Sequence, residues 1–223
     1  MEVATPVVAL IAGATGLVGK ELLALLLADS ACRAVYSLVR KRSALQHAKL
    51  SQHVVDFASL EHNPPALPKI DEVYICLGTT IKAAGSQAAF KAVDFDAVVA
   101  VASVGIARGA TKLGVISAMG ASSSSSVFYS RIKGEMEEAV AKLGFESITI
   151  ARPSFLAGNR EALQQTSRPG EKIALAAMRW FNPIIPANYR SVEAADVANT
   201  LLSHVRAGKM GQTVLQSGQL QAT

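Results

Sequence analysis

Short apolar runs alternate along the chain with longer stretches in which apolar residues recur every three or four positions. The first run, residues 6–12, is continuously apolar and rich in Val, which is typical of a strand buried on both faces of a parallel sheet. A glycine-rich turn follows, and a Leu-rich helix is predicted after it. Strand, glycine turn and helix in this order indicate the opening of a βαβ unit.

The same alternation continues through the middle of the chain. Further strands are predicted at residues 34–40, 53–57, 72–78, 112–119 and 146–152, and long helices at residues 87–108 and 127–143. The apolar stretch at residues 97–107 is shorter than the roughly 18 residues of a membrane span, so it predicts a buried helix. Strands that alternate with helices at this spacing predict an α/β fold with a doubly wound parallel sheet.

The alternation of predicted strands and helices ends after residue 152, where the sequence becomes polar and contains Pro and Gly. This predicts a loop over the carboxyl edge of the sheet, then helices near residues 173–181 and 192–205 and a last strand at residues 212–217. The remaining segment is too short for a second domain of ordinary size. We therefore predict one domain over residues 1–223, in which residues 153–210 form a small substrate or lid region.

Composition and charge narrow the range of functions. Half of the 223 residues are hydrophobic and 17% are charged, which is typical of a compact globular protein. The net charge is +5, but the basic residues are scattered, so a small anionic ligand explains them as well as a nucleic acid does, and no nucleic-acid partner is predicted. Cys32, Cys76 and the four histidines show no ligand spacing, so neither a disulfide framework nor a metal site is predicted.

The apolar N-terminal run has no basic segment before it, and we expect no secretory signal and a cytoplasmic location.

The turn GATGLVG places three glycines three residues apart between the first strand and the first helix. Such a turn lets the backbone approach a pyrophosphate, which then lies at the N-terminus of the helix. Glycine is also common in any short turn between a strand and a helix, so the motif alone is a weak signal. In this position it predicts dinucleotide binding. The residues predicted to contact the dinucleotide here are Gly13, Thr15, Gly16, Leu17, Val18 and Gly19.

The second strand ends in a basic cluster, Arg40, Lys41 and Arg42. NAD-binding proteins normally carry an acidic residue near this point, which accepts hydrogen bonds from the ribose hydroxyls. Positive charge would instead attract a 2′-phosphate, so the sequence favours NADP(H) over NAD(H), with a solvated basic turn as the alternative. Further cofactor contacts are predicted for the adenine at Asp56 and Phe57, and toward the nicotinamide at Leu77, Gly78 and Thr79.

Tyr129 and Lys133 are spaced to share one face of the helix that follows the fifth strand, and Ser117 ends that strand. All three should therefore reach the carboxyl edge of the sheet, where ligands bind in this fold class. We predict that the ammonium of Lys133 lowers the pKa of Tyr129 and binds the nicotinamide ribose, and that Tyr129 exchanges a proton with the substrate oxygen while Ser117 hydrogen-bonds it. In the alternative, Tyr129 packs on the sheet and Lys133 pairs with Glu137. Residues 122–126, five serines named the serine run below, are expected to form a flexible linker to this helix.

Several stretches resemble the atypical short-chain dehydrogenases/reductases of the Tat-interacting-protein-like group: GATGLVGKELL, CLGTT, YSRIKGEMEE and SRPGE. The resemblance runs over nearly the whole chain and implies a Rossmann fold, an NADP-binding glycine turn and the Ser, Tyr and Lys roles given above. It also implies that Pro153 and Ser154 pass beside the nicotinamide. One position departs from the wider family, which often relays protons through an Asn on the fourth helix; this chain has Asp94 there.

Together these features predict an NADP(H)-dependent oxidoreductase that acts on a small carbonyl or alcohol substrate. The alternative is a non-catalytic NADP(H)-binding redox sensor that acts through a protein partner. The weakly charged helix at residues 87–108 could pack on a second copy of the chain as readily as on the sheet, so a homodimer stays open. A last set of residues could bind an anionic group of the substrate or be solvated: Arg152, Arg160, Arg168, Lys172, Arg179 and Arg190.

Overall fold

The computed structural model describes residues 6–154, 156–157 and 190–221. The strands are β1 (Val7–Ala12), β2 (Cys32–Val39), β3 (Leu50–Val54), β4 (Glu72–Ile75), β5 (Lys112–Ile116), β6 (Ser147–Arg152), β7 (Leu156–Ala157), β8 (Val192–Glu193) and β9 (Gly211–Gln216). The helices are α1 (Leu17–Ala28), α2 (Ile81–Ala84), α3 (Gln87–Lys91), α4 (Ala97–Ala107), α5 (Phe128–Ala141) and α6 (Ala194–Ala207). A π-helical turn (Ala92–Asp96) joins α3 to α4, and a 3₁₀ turn (Ser217–Leu220) follows β9.

Seven strands form one parallel sheet in the order β3-β2-β1-β4-β5-β6-β9. The chain enters at β1 in the middle of the sheet, builds outward through β2 and β3, and then returns to add β4 on the other side of β1. The direction of winding therefore reverses between β1 and β4, which opens a crevice at their carboxyl ends. This is the predicted doubly wound Rossmann architecture, and the prediction of the fold class is confirmed.

The two faces of the sheet carry separate apolar cores. Successive residues of a strand point to opposite faces, so Leu10 of β1 joins one core and Ile11 joins the other. The core with Leu10 contains the apolar faces of α4 and α5, and the core with Ile11 contains those of α1 and α6. Burial on both sides explains why the central strands are apolar at nearly every position.

Three strands end earlier in the structure than predicted. β3 ends at Val54, β4 at Ile75 and β5 at Ile116, each about three residues before its predicted end. The residues that follow leave the sheet and form loops at the crevice. The predicted helix at residues 87–108 is also divided, because the π-helical turn separates α3 from α4, whereas the apolar stretch at residues 97–107 coincides with α4.

The carboxyl-terminal segment contributes to the sheet and its helical layer. Val197, Leu201 and Val205 of α6 are fully buried against the sheet, and β9 forms its edge beside β6. Of residues 153–210, predicted as a substrate or lid region, α6 therefore packs in the helical layer of the sheet, whereas β9 follows that region. The predicted helix near residues 173–181 lies outside the described residues. Within the described ranges, no helix has both the length and the apolar character that crossing a membrane requires.

Candidate functional site

The glycine turn lies where β1 meets α1, beside the end of β4. Gly13 has a φ of +86°, and a Cβ there would lie 2.4 Å from the carbonyl oxygen of Cys76. A Cβ on Gly19 would lie 2.1 Å from the carbonyl oxygen of Gly13. Both positions therefore require glycine for the packing of the turn itself. Gly16 differs, since its φ is −76° and a Cβ there would come no closer than 3.4 Å to another atom.

The N-terminus of α1 is open to an anion. Gly16 is its N-cap and provides no side-chain acceptor, and the first turn carries no acidic residue. The first backbone N–H groups of a helix have no partner within the helix, and the helix dipole gives them partial positive charge. Leu17 and Val18 direct their side chains into the core under α1, so they offer the ligand their backbone amides. This end of α1 can hold a phosphate group.

A cavity of about 1360 Å³ extends along the carboxyl edge of the sheet on both sides of this turn. It runs from the basic residues after β2, across the glycine turn, to the loop after β4. Its length and position suit an extended dinucleotide. Ten of the residues predicted to bind the cofactor line it: Gly13, Thr15, Gly16, Arg40, Lys41, Asp56, Phe57, Leu77, Gly78 and Thr79.

The basic cluster after β2 is divided between the cavity and the outer strand. Arg40 and Lys41 are exposed and line the cavity. Arg42 is also exposed but does not line it. Partial burial lowers the pKa of His53 on β3, and the positive charge of Arg42 lowers it further. Two of the three predicted cations are thus in place for a phosphate at this end of the cavity.

Asp56 follows β3 and lines the cavity, as predicted, but its carboxylate already has local partners. Its Oδ1 accepts a hydrogen bond from the backbone N–H of Ala58 at 3.1 Å, and its Oδ2 accepts one from the hydroxyl of Ser59 at 3.0 Å. These bonds stabilise the turn after β3. An adenine amino group would therefore share an acceptor that also holds the loop.

Pro153 and Ser154 do not line the cavity in the part of the chain that the structure describes. The carbonyl oxygen of Pro153 accepts a hydrogen bond from the N–H of Met119 at 3.0 Å. The hydroxyl of Ser154 donates to the carbonyl oxygen of Arg190 at 2.5 Å and lies 2.8 Å from the hydroxyl of Ser217. Both residues join the end of β6 to neighbouring segments, and Pro153 and Ser154 as cofactor contacts stay a prediction.

Lys133 is buried behind the loop that lines one end of this cavity, and it forms an ion pair with Asp94. Its Nζ lies 2.7 Å from Oδ1 of Asp94, and the two residues are only 3% and 0% exposed. The other carboxylate oxygen, Oδ2, accepts the backbone N–H of Thr79 at 2.8 Å. A Cβ on Gly78 would lie 3.5 Å from Oδ1 of Asp94, so the pair lies directly behind the loop that lines the cavity. The alternative pairing of Lys133 with Glu137 is wrong, because Lys133 has a closer and more deeply buried partner.

Tyr129 lies one turn before Lys133 on α5, and its ring contacts the ring of Phe90 with centroids 5.3 Å apart. Burial raises the pKa of Tyr129, and the negative charge of Asp94 raises it further. The predicted lowering of this pKa by Lys133 is wrong for this arrangement of charges. Asp94 compensates the positive charge of Lys133, so the phenol gains little electrostatic support for ionisation.

Ser117 follows β5 and is buried, and its hydroxyl donates a hydrogen bond to Oε1 of Glu137 on α5. Arg152 binds the same carboxylate through two contacts, with Nε 3.0 Å from Oε1 and Nη2 2.5 Å from Oε2. This bonding raises the pKa of Arg152. Glu137 and Arg152 line a second, smaller cavity of about 420 Å³, whereas Ser117 lines neither. The structure therefore brings Lys133 to the loop that lines the first cavity but directs the Ser117 hydroxyl toward Glu137.

The serine run packs on α5, contrary to the expectation of a flexible linker. The N–H of Ser122 donates to the carbonyl oxygen of Ser130 at 3.0 Å, and the guanidinium of Arg131 donates to the carbonyl oxygen of Ser125 at 3.0 Å. A Cβ on Gly134 would lie 2.2 Å from the backbone of Ser122, so glycine permits the close contact. These contacts fix the approach of the chain to Tyr129.

Sequence reasoning missed two parts of this site. Asp94 was singled out only as a departure from a family pattern, and its pairing with Lys133 depends on the π-helical turn, which the uninterrupted helical periodicity conceals. Glu137 was considered only as a surface partner of Lys133, although its position one turn further along α5 does place it on the same side of the helix. Of the basic residues predicted to contact the substrate, Arg152 is held by Glu137, Arg190 accepts the hydroxyl of Ser154 at its carbonyl oxygen, and residues 160, 168, 172 and 179 lie outside the described residues. In the described part of the chain no group of three His, Cys, Asp or Glu side chains could hold a metal ion.

Known proteins resemble this chain in sequence and in structure. Residues 13–207 match the model of a family described as NAD(P)H-binding. "Protein HTATIP2" of Rattus norvegicus is 33% identical over 211 residues, which cover 92% of this chain and 84% of that protein. "Protein fmp52, mitochondrial" of Emericella nidulans is 37% identical over 168 residues, which cover 73% and 70% of the two chains.

The solved structures that resemble the chain have the same fold. An oxidoreductase of the short-chain dehydrogenase/reductase family from Burkholderia thailandensis superposes with a TM-score of 0.67 at 21% identity, covering 97% of this chain and 93% of that one. MoeE5, solved in complex with UDP-glucose and NAD, gives a TM-score of 0.67 at 15% identity, with 93% and 74% of the two chains covered. At these identities the likeness extends to the fold.

Proposed function

Because the chain belongs to the NAD(P)H-binding family, within the Tat-interacting-protein-like group of atypical short-chain dehydrogenases/reductases, we propose that it is an NADP(H)-dependent oxidoreductase that acts on a small carbonyl or alcohol substrate. The observation that carries the proposal is the continuous cavity from Arg40 and Lys41, across the glycine turn, to the loop beside Lys133. One connected cavity thus has a phosphate-binding end, and its other end is lined by the loop whose Gly78 lies beside the buried Lys133.

The residues present fit a dinucleotide. The backbone of the glycine turn and the N-terminus of α1 would hold the pyrophosphate. The glycines carry no side chain that would keep the pyrophosphate away, and the first backbone N–H groups of α1 beside them can donate hydrogen bonds to it. Phe57 and Asp56 line the part of the cavity where the adenine would lie, and Gly78 and Thr79 line the part where the nicotinamide would lie. When bound, the nicotinamide would supply or accept the hydride.

The preference for NADP(H) is supported by the charges at the end of β2. Arg40 and Lys41 line the cavity where an acidic residue would be needed for the 2′-hydroxyl of NAD. A guanidinium and an ammonium can both bind a 2′-phosphate, and the guanidinium can do so through two hydrogen bonds. No acidic side chain lies between Val39 and Leu50 to oppose them.

A binding experiment tests this preference directly. The purified protein is titrated with NADPH and NADH, and the fluorescence of the reduced nicotinamide reports binding. We expect tighter binding of NADPH, and we expect Arg40→Ala combined with Lys41→Ala to weaken NADPH binding about 10-fold to 100-fold with little change for NADH. Arg33→Ala, at an exposed position on the opposite end of β2, serves as the matched control. Equal affinities of the wild type for both coenzymes would refute the proposed preference.

Proton transfer is assigned to Tyr129. It is half-buried at the start of α5, one turn from Lys133, and its raised pKa keeps the phenol protonated near neutral pH. The phenol can therefore donate a proton to a carbonyl oxygen. A screen of carbonyl compounds with NADPH should reveal turnover that Tyr129→Phe lowers by about 10²-fold to 10⁴-fold, whereas Tyr36→Phe leaves it unchanged. Equal turnover of Tyr129→Phe and wild type would remove Tyr129 as the proton donor.

A second function, a redox sensor that binds NADP(H) without turnover, is favoured by one observation. The hydroxyl of Ser117 is bonded to Glu137, so the group assigned to bind the substrate oxygen already has a partner. Tight NADPH binding without coenzyme oxidation by any carbonyl compound would support the sensor, and would direct the search to a protein partner. Homodimer formation and a cytoplasmic location are proposals from the sequence alone.

A further inference from the structure

We propose that Asp94 acts as a positioning residue that cancels the charge of Lys133, so that Tyr129 keeps its proton and the site works as a carbonyl reductase more readily than as an alcohol dehydrogenase. The inference rests on the proposed function for its reaction and adds the direction in which the site is biased. It starts from the burial of the ion pair between Lys133 and Asp94, at 2.7 Å with both side chains almost fully inaccessible.

The backbone around Asp94 holds its carboxylate in place. The π-helical turn between α3 and α4 carries Asp94 at its centre, and a turn of this kind departs from regular α-helical positions at that point. Oδ2 of Asp94 accepts the N–H of Thr79, which fixes the side chain against the loop after β4. Gly78 leaves room for the pair, because a Cβ there would be 3.5 Å from the carboxylate and 3.9 Å from Nζ of Lys133. The carboxylate is thus bound on two sides and faces the ammonium.

The other charged groups near Tyr129 among the described residues are engaged elsewhere. On α3 and the π-helical turn, Lys91 pairs with Asp96 at 2.6 Å, and both side chains are about half exposed. On α5, Arg131 donates to carbonyl oxygens of the serine run and lies 3.9 Å from Glu135. Neither the loop after β4, from residue 77 to residue 80, nor the serine run contains an ionisable side chain. The Lys133–Asp94 pair is therefore the charged unit that faces Tyr129.

A buried ion pair of zero net charge changes the acid–base chemistry of its neighbour. An isolated ammonium would favour the phenolate form of Tyr129, whereas a compensating carboxylate removes that effect and burial favours the neutral phenol. In this structure burial raises the pKa of Tyr129, and the negative charge of Asp94 raises it further. A neutral phenol is ready to donate a proton and is a poor base for removing one from an alcohol.

The reduction step balances with this assignment. The carbonyl carbon receives a hydride, which is one proton with two electrons, from NADPH, and the C=O π electron pair moves onto oxygen. The oxygen would take the proton of Tyr129, so that one C–H and one O–H bond form while the carbonyl π bond, the phenolic O–H bond and the C–H bond of the dihydronicotinamide break, which leaves NADP⁺. The resulting phenolate recovers a proton from solvent, and its high proton affinity favours that recovery. Alcohol oxidation would need the same phenol to ionise first, which the pair disfavours.

The test measures the ionisation of Tyr129 and needs no substrate. The protein is labelled with ¹³Cζ-tyrosine, the four tyrosine resonances are followed by NMR from neutral to alkaline pH, and Tyr129→Phe assigns the signal. We expect Asp94→Asn to move the titration midpoint of Tyr129 downward and to leave the resonance of Tyr36, which lies on β2, unchanged. Glu135→Gln, which removes a carboxylate from the exposed side of α5, should leave all four midpoints in place.

A double variant keeps the test decisive if Asp94→Asn reduces stability. Asp94→Asn combined with Lys133→Met removes both charges, so the midpoint of Tyr129 should return upward relative to Asp94→Asn alone. A Tyr129 midpoint that is the same in wild type, in Asp94→Asn and in the double variant would overturn the inference. Turnover assays separate this failure from failure of the proposed function: shifted midpoints without any carbonyl reduction would support the charge cancellation and speak against the oxidoreductase.

Discussion

Single Gly→Ala substitutions in and near the glycine turn can separate the role of the turn in packing from its role in ligand binding. Gly13→Ala places a Cβ at a φ of +86° and 2.4 Å from the carbonyl oxygen of Cys76. Gly85→Ala imposes the same φ of +86° with no atom within 4 Å. Gly16→Ala introduces neither a positive φ nor a steric clash, since the φ of Gly16 is −76° and the nearest contact of the added Cβ would be at 3.4 Å.

The expected losses of unfolding free energy follow from these geometries. A non-glycine residue at positive φ costs about 1–2 kcal/mol, and forcing a methyl group into closely packed backbone costs about 1–3 kcal/mol more. Gly85→Ala should therefore lose about 1–2 kcal/mol and Gly13→Ala about 2–5 kcal/mol. Gly16→Ala should lose about 1 kcal/mol or less, because Ala is a poorer N-cap residue than Gly but meets neither a positive φ nor a close contact here.

Urea denaturation followed by circular dichroism measures the three losses, and NADPH titration of the same proteins measures binding. If the backbone of Gly16 approaches the pyrophosphate, Gly16→Ala should weaken NADPH binding while the protein stays folded. Gly85→Ala should bind NADPH as the wild type does. Equal stabilities of Gly13→Ala and Gly85→Ala would refute the close packing of the turn on the end of β4. Unchanged NADPH binding by Gly16→Ala would refute the role of the turn in holding the phosphates.

Three further predictions concern stability. Burial raises the pKa of the Cys76 thiol from 9.0 to about 12, so the contribution of this thiol to stability is fully present below pH 9 and is lost as the pH rises toward 12. The urea midpoint of Cys76→Ala should therefore fall less steeply with pH over this range than that of the wild type. An equally steep fall in both proteins would contradict the raised pKa of Cys76. Arg206→Met should cost about 3–5 kcal/mol, because Nε of Arg206 lies 2.7 Å from the buried carboxylate of Glu72, which would lose its closest cation. Arg131→Met, which removes a more exposed arginine, should cost less than about 1 kcal/mol, and similar losses for the two would argue against a buried network. Gly134→Ala should lower stability by about 1–3 kcal/mol through the clash of its Cβ with the serine run, and thermal melting checks this.

The alternation of apolar patterns was sufficient to predict the fold class and most elements. Strands buried on both faces are apolar at nearly every position, so β1, β4 and β6 are visible as runs. The ends of β3, β4 and β5 were predicted about three residues too late, because most of the loop residues after these strands are also apolar or small. Hydrophobicity reports burial, and the first loop residue after each of these strands (Val55, Cys76 and Ser117) keeps one backbone hydrogen bond to the neighbouring strand before the chain leaves the sheet.

Part of the candidate site could likewise be predicted from the sequence, and part could not. The glycine turn and the basic residues after β2 are contiguous in sequence, and their environment follows from the strand and helix that flank them. Tyr129 and Lys133 could be placed together from helical spacing, but the partner of Lys133 could not. Asp94 is 39 positions away and reaches Lys133 only because α3, the π-helical turn and α5 pack together.

The sequence by itself determined the doubly wound sheet, the order of its elements and the location of the glycine turn at the first crossover, because these depend on local periodicity and on residues adjacent in the chain. Only the tertiary structure decided which side chain each buried charged or polar group of the site pairs with. It paired Lys133 with Asp94 and Ser117 with Glu137, and it held the serine run on α5. The pKa of a buried group depends on the distance to charges from other elements and on the exclusion of water, and neither quantity can be calculated before the elements are packed.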